Sequence, residues 1–194
     1  MSVGVNTLTI PFAPDWASGV KVSYKYETAL FENKRHNEQR RALQSASRRI
    51  IETTFNLTNT DASRLNFLLV RGKDQPFAVP LYTEVMVPSA IGGAVAAPDS
   101  ITVPDCSDLW NLNNRATYLF LADYAHDETE LLVIDSVFPT SILVTTLISG
   151  SFTVNSTYAY PIFWGFLAKE PELKHRTSQH LSIGLTFEEF IDGG

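Results

Sequence analysis

Two pairs of adjacent arginines form the most distinctive charged group in this sequence of 194 residues. Arg40 and Arg41 precede a short polar segment at 44–47, and Arg48 and Arg49 follow it. A guanidinium group binds carboxylates through two parallel hydrogen bonds and is enriched at protein contact surfaces. Neighbouring residues of a β-strand point to opposite faces, so not all four side chains can share one hydrated side. We predict a subunit interface at these arginines, with solvated arginines on an exposed hairpin as the alternative.

The histidines, the acidic clusters and the single cysteine do not have the spacing of a known catalytic or metal-binding motif. The four histidines form no HxH or HExxH ligand pair. The acidic clusters at 105–108 and 123–130 lack the regular ligand spacing and the glycine of a calcium loop. Cys106 is the single cysteine and has no histidine or basic residue near it, so we expect an inert thiol. No GxSxG, P-loop or GxGxxG motif occurs. We expect no enzyme, cofactor or metal site, although paired carboxylates for glycoside hydrolysis stay open at this point.

Aromatic residues in the second half of the chain are the other candidates. Sugars stack on aromatic rings that are exposed side by side, so Trp110, Tyr118 and Tyr124, with Tyr158 and Tyr160, are candidates for a glycan-binding surface. Aromatic residues in β-strands are more often part of the core. Glycan binding therefore requires two or more of these rings to be exposed together.

The periodicity around the arginines predicts strands and one helix. Residues 20–31 alternate between polar and apolar, and 38–58 is typical of an antiparallel hairpin that turns at 44–47. Apolar residues then recur at helical spacing over 59–72. Asn59 or Thr60 can cap the start of this helix and Gly72 suits its end.

The remaining segments extend this pattern. Residues 1–19 are expected to form an extended arm held by aromatics such as Trp16, which we include in the predicted interface. The Gly-rich stretch 91–100 predicts a connection between domains. Residues 101–159 contain short strands separated by turns, typical of a small β-barrel or sandwich. The alternating strand 180–190 is expected to pair back with the first part of the chain.

Composition and charge favour a folded protein with protein partners. Hydrophobic residues make up 44% and charged residues 19% of the chain, and the formal net charge is −6, which argues against a general nucleic-acid binder. Residues 21–73 contain eleven Lys or Arg and five acidic residues, whereas the chain from residue 74 onward contains four Lys or Arg and fifteen acidic residues. A basic side of one subunit could therefore meet an acidic side of the next. No secretory signal or membrane-spanning segment is expected.

Two motifs carry a resemblance to a known family. Residues 38–55, EQRRALQSASRRIIETTF, contain E-x-R-x-A-L and then R-R-x-x-E-x-x-F, and residues 73–80, KDQPFAVP, contain K-x-x-x-F-x-x-P. With the closing strand LSIGLTFEEF, they resemble the distal tail, or baseplate-hub, type of minor tail protein of long-tailed bacteriophages. The resemblance covers residues 11–88 and 165–190, and the segment between resembles the family only in length and strand content.

The resemblance implies a fold and a domain organisation. It implies a mainly β chain, built as a tail-tube-like split β-barrel with one flanking helix and an inserted small β-barrel or sandwich domain. Residues 1–90 and 161–194 would form the first domain and residues 91–160 the inserted one.

The resemblance also implies a function. Such proteins are structural and form a ring, usually of six copies, where the tail tube meets the baseplate or tip. The expected partners are other copies of the chain, the tail tube protein and the tail tip or baseplate hub proteins, with DNA passing only transiently through the channel. The expected location is the virion, after synthesis in the host cytoplasm. The inserted domain of some members binds carbohydrate or anchors fibres, which gives a carbohydrate- or receptor-binding accessory module as the alternative.

Overall fold

The computed structural model describes residues 8–26, 28–32, 38–42, 47–72, 74–92, 99–106, 118–175 and 180–190. Strands make up 51% of the structure, and the one helix of these residues is α1, Asn59–Arg71. The predicted mainly β class with one helix is confirmed. In chain order, the strands are β1 (Val20–Lys25), β2 (Thr28–Glu32), β3 (Glu38–Ala42), β4 (Arg48–Thr58), β5 (Phe77–Pro80), β6 (Ala90–Ile91), β7 (Asp99–Thr102), β8 (Tyr118–Asp123), β9 (Thr129–Phe138), β10 (Ser141–Val144), β11 (Thr157–Leu167), β12 (Glu172–His175) and β13 (His180–Glu189).

Eleven of these strands form one antiparallel sheet. Their order is β1-β4-β13-β11-β8-β9-β10-β7-β6, with β12 beside β13 and β5 beside β11. Strands β2 and β3 form a separate two-stranded sheet. Over the residues that the structure describes, the large sheet is not closed into a barrel, so the barrel and its likeness to a tail tube stay predictions.

Strand pairing near the arginines differs from the predicted hairpin at 38–58. Strand β4 pairs with β1, and β3 pairs with β2, so the predicted pairing of β3 with β4 is wrong. Val22 lies opposite Ile51, which places the apolar positions of β1 and β4 over the same core. A hairpin turning at 44–47 would have left the apolar side of β1 without this partner.

The last strand returns to the first part of the chain, as predicted. Strand β13 pairs with β4 from His180 opposite Thr58 to Glu188 opposite Ile50. The expected apolar face of β13 is buried along its length, and its members are Leu181, Ile183, Leu185 and Phe187.

Helix α1 lies where the change of period predicts it. Its N-cap is Thr58 and not the predicted Asn59 or Thr60, and the Thr58 hydroxyl accepts a hydrogen bond from the Asp61 N–H. Gly72 ends the helix as expected, with its N–H donating to the Leu68 carbonyl. A Cβ at Gly72 would overlap the ring of Phe77 and the side chain of Leu8, so close packing, not a left-handed φ, requires glycine here.

Two hydrophobic clusters pack against the sheet. The larger contains α1, β4, β5, β13 and the buried residues Leu8, Ile10 and Phe12 of the N-terminal arm. The smaller contains residues of β7 to β10. Strands β8 and β11 contribute to both, because Phe120 and Tyr160 belong to the first cluster and Leu121 and Ala159 to the second. The predicted domain boundary at 160/161 lies inside β11, and the division into domains stays a prediction.

Candidate interaction site

The first two residues of β4 send their side chains to opposite faces of the sheet, as strand geometry predicts. Arg49 is on the core side with Ile51 and is only 4% exposed. Arg48 is half-buried on the other side. The two neighbouring guanidinium groups therefore meet different surroundings and have different roles.

Arg49 is enclosed by two carboxylates and an aromatic ring. Its Nη2 donates to Glu189 Oε1 at 3.2 Å, and its backbone N–H donates to Glu189 Oε2 at 2.9 Å. Its Nη1 donates to Glu84 Oε1 at 3.4 Å, and Cζ lies 5.9 Å from the centre of the Phe163 ring. The side chain of Glu189 is only 3% exposed, so both members of this ion pair are buried. The guanidinium is thus used inside its own chain, and the subunit contact predicted for Arg49 stays a prediction.

Arg48 belongs to a shared ion pair on the outer face of the sheet. Glu188 Oε1 lies 3.4 Å from Arg48 Nη1 and 3.2 Å from Lys25 Nζ. All three side chains are between one quarter and one half exposed. Two partly exposed cations here share the carboxylate of Glu188, and an acidic surface of a partner could approach them.

The remaining predicted interface residues are Arg40, Arg41 and Trp16. Arg40 and Arg41 belong to β3, where they pair with Leu30 and Ala29 of β2. Trp16 is exposed in a turn after the N-terminal arm, whereas Phe12 in the same arm is buried. The structure therefore leaves Trp16 accessible to a partner, and contact with a partner at these three residues stays a prediction.

The candidate aromatic residues divide into buried and exposed rings. Tyr160 is buried, and Tyr118 is half-buried with its ring packed edge-on against Trp164 at 5.3 Å between centres. Tyr124 is 76% exposed, and its ring centre lies 6.2 Å from that of half-buried Tyr158 at an interplanar angle of 47°. One pair of neighbouring rings, Tyr124 and Tyr158, is thus accessible, whereas the predicted Trp110 lies outside the described residues.

Sequence reasoning missed a junction that holds the N-terminal arm. The Tyr82 hydroxyl donates to the Phe12 carbonyl at 2.7 Å, and His126 Nδ1 lies 3.3 Å from the Pro11 carbonyl. Burial lowers the pKa of His126 and raises the pKa of Tyr82 well above its ordinary value, while the pKa of the adjacent Tyr160 rises to about 12, also mainly through burial. His126 has φ of 57°, in a left-handed region where histidine is several-fold enriched, but nothing local in the sequence links it to Pro11.

The described histidine, cysteine and acidic side chains form no metal-ligand group. Among them, no group of three or more His, Cys, Asp or Glu side chains is placed to hold a metal ion. Cys106 is buried, its thiol donates to the Phe138 carbonyl, and burial raises its pKa, so the thiolate that a nucleophile needs is disfavoured. None of the described helical residues forms a helix long and apolar enough to cross a membrane.

No protein-family model matches this chain, and a search of curated proteins finds no match either. The functional interpretation therefore depends on the residues and their arrangement.

Proposed function

We propose that this chain is a structural subunit of a bacteriophage tail, which forms a ring at the junction of the tail tube and the baseplate or tip. The ring would initiate or cap the tube, leave a channel for DNA and transmit contact from the tip. The partners would be further copies of the chain, six in the ring, with the tube protein and the hub proteins on either side.

The observation that carries this proposal is the arrangement of the segments that resemble tail proteins. The second arginine motif is in β4, the K-x-x-x-F-x-x-P motif leads into β5, and the closing pattern is in β13. These strands and α1 surround one hydrophobic cluster, although up to 140 residues separate hydrogen-bonded partners such as Arg49 and Glu189. Three of the four segments that carry the resemblance therefore belong to one packed unit, whereas the first arginine motif lies in β3 of the separate two-stranded sheet.

The sheet also offers a means of assembly. Strand β1 is the terminal strand in the order of the described sheet and carries Lys21 and Lys25. A neighbouring subunit can extend a terminal strand through backbone hydrogen bonds, and a head-to-tail contact that closes produces a ring. Lys25 and Arg48 lie opposite each other on β1 and β4, are partly exposed, and supply charge that can set the register of such a contact.

Electron microscopy of the purified chain and of virions tests the proposal directly. We expect rings with a central channel, and we expect the protein in purified virions by mass spectrometry. The Arg40→Glu, Arg41→Glu variant should lose the rings, whereas Asp135→Lys, a charge reversal at an exposed position of β9 that four strands separate from β1, should keep them. A protein that stays monomeric and is missing from virions contradicts the proposal.

A second candidate is a carbohydrate- or receptor-binding module of a tail, favoured by the accessible pair Tyr124 and Tyr158. Rings at this separation can contact one sugar, since aromatic faces pack on the apolar faces of pyranose rings. Binding to a glycan microarray should be lost in Tyr124→Ala and retained in Tyr24→Ala, because Tyr24 is exposed on β1 and away from Tyr158. Equal binding by the two variants would exclude this surface.

A further inference from the structure

Helix α1 presents apolar residues on the side that faces away from its core. Leu65 is its buried residue, and Ala62, Leu68 and Leu69 pack against the larger cluster. Phe67 and Val70 lie on the opposite side at a spacing of three residues and are 64% and 73% exposed. The outer side of a surface helix is normally polar, so these two side chains need an explanation outside the core.

A groove and two cations accompany this outer side. The groove has a volume of about 480 Å³ and is lined by Phe67, Leu68, Ser63 and Arg64 of the helix and by Thr9 and Pro11 of the N-terminal arm. Arg64 and Arg71 are exposed on the same side of the helix. The nearest carboxylate to Arg64 is that of Asp61, 3.8 Å away and partly exposed, which leaves the guanidinium accessible. An apolar centre with arginines beside it has the composition of an energetically important contact.

The acidic part of the same chain offers a complementary surface. The turn between β8 and β9 exposes Asp127 and the ring of Tyr124. The other acids of this turn are engaged within the chain, because Glu128 accepts from the Ser151 N–H and Glu130 from the N–H groups of Ser149 and Gly150. Asp127 is thus the carboxylate that this turn presents to a partner.

The two surfaces lie next to each other on one subunit. Arg64 of α1 and Asp127 of the turn line the same polar pocket of about 220 Å³, together with Asp61 and His126. A surface that contains a basic apolar patch beside an acidic aromatic one is complementary to itself, and two copies can satisfy both patches at once across a two-fold axis.

We propose that the outer side of α1 docks a second copy of this chain, with Phe67 and Val70 covered by the β8–β9 turn of that copy. Arg64 then faces Asp127 of the other copy, and the reciprocal contact forms on the other side of the axis. This two-fold contact is distinct from the head-to-tail contact of the proposed ring and does not use Arg40, Arg41 or Arg48.

Sedimentation velocity of the purified full chain over a wide concentration range tests this contact. In the Arg40→Glu, Arg41→Glu chain, which should not form rings, we expect a two-copy species that weakens at high salt, because part of its attraction is between exposed charges. Phe67→Ser should weaken association by about tenfold or more, and Val70→Ser should weaken it too. Phe138→Ser replaces an exposed phenylalanine on β9 outside this surface and should leave it unchanged.

Inverting the charge pair identifies the partner surface. Arg64→Glu and Asp127→Arg should each weaken association, and the double variant should regain it, because the attraction is restored with opposite sign. Circular dichroism and thermal midpoints equal to those of the wild-type chain establish that the variants are folded. A two-copy species that persists in the Arg40→Glu, Arg41→Glu variant supports a contact separate from the ring.

Three results would overturn the inference. The first is a wild-type chain that is monomeric at every concentration. The second is equal association of the Phe67→Ser and Phe138→Ser variants, and the third is a double charge variant no better than its single parents. Loss of the two-copy species in the Arg40→Glu, Arg41→Glu variant would show that ring and pair share one contact.

Discussion

Replacement of Arg49 by methionine is predicted to destabilise the fold strongly, because it removes one partner of a buried ion pair. The side chain of Glu189 is 3% exposed, and in this variant it would lose the guanidinium while the backbone N–H of residue 49 still donates to it. Removing one partner of a buried pair costs about 3–5 kcal/mol, since the remaining buried charge loses the opposite charge beside it. For a chain of this size, that corresponds to a fall in the thermal midpoint of about 6–20 °C.

Two further variants separate the charge effect from a simple loss of packing. Arg49→Met combined with Glu189→Gln removes both buried charges while keeping similar volumes, and its stability should return to within about 1–2 kcal/mol of the wild type. Arg48→Met is the matched control on the neighbouring residue. Its guanidinium is 39% exposed and Lys25 also pairs with Glu188, so we expect a loss of at most about 1 kcal/mol.

Urea unfolding followed by circular dichroism measures the wild type, these three variants and the single variant Glu189→Gln under the same conditions. The free energy of unfolding in water gives the coupling between positions 49 and 189 from the double-mutant cycle. The reasoning is refuted if Arg49→Met costs no more than Arg48→Met, or if the double variant is no more stable than Arg49→Met alone.

Three further predictions concern single positions. The buried Thr53 hydroxyl finds no hydrogen-bond partner among the described residues, so Thr53→Val should raise the free energy of unfolding by about 1 kcal/mol, whereas Thr53→Ser should lower it. Gly72→Ala should cost about 1–3 kcal/mol in the same urea assay, because its Cβ meets Phe77 and Leu8, and an unchanged midpoint would contradict this packing. Burial lowers the pKa of His126, so its contribution to stability is complete above the unfolded pKa of about 6.5 and is lost as pH falls from there through the folded pKa. His126→Asn, which tolerates the same φ, should flatten that part of the pH profile, and an unchanged slope would count against the assignment.

Local periodicity predicted much of this fold because each apolar stripe must face a core. The alternation in β13 and the three-to-four spacing in α1 are visible in the sequence, and both elements bury the expected sides. The partner of β4 was not predictable in this way, since period two defines a face and not a neighbour. A local turn at 44–47 therefore looked sufficient, whereas the structure pairs Arg48 with Lys25 across the sheet.

The sequence indicates that Arg49 and Glu189 are buried, but it does not indicate that they pair with each other. Arg49 continues the apolar face of Ile51, and Glu189 continues that of Leu185 and Phe187. A charged residue that lies on the apolar face of a strand is expected to be buried, and a buried charge needs a partner of opposite sign. Matching the two ends required knowing that β4 and β13 are adjacent, which depends on 140 residues of intervening chain.

The burial of Arg49 also determines how the proposed ring has to be tested. A variant of Arg49 alone is expected to unfold part of the sheet, so loss of rings in it would not distinguish assembly from folding. The Arg49→Met, Glu189→Gln chain removes this ambiguity, because it lacks the guanidinium but should retain most of its stability. If Arg49 acts only within its own chain, that double variant will still form rings, whereas a folded double variant without rings would establish a second role for Arg49 between subunits. Arg48 differs in being partly exposed, so a folded Arg48→Glu variant reports on assembly directly.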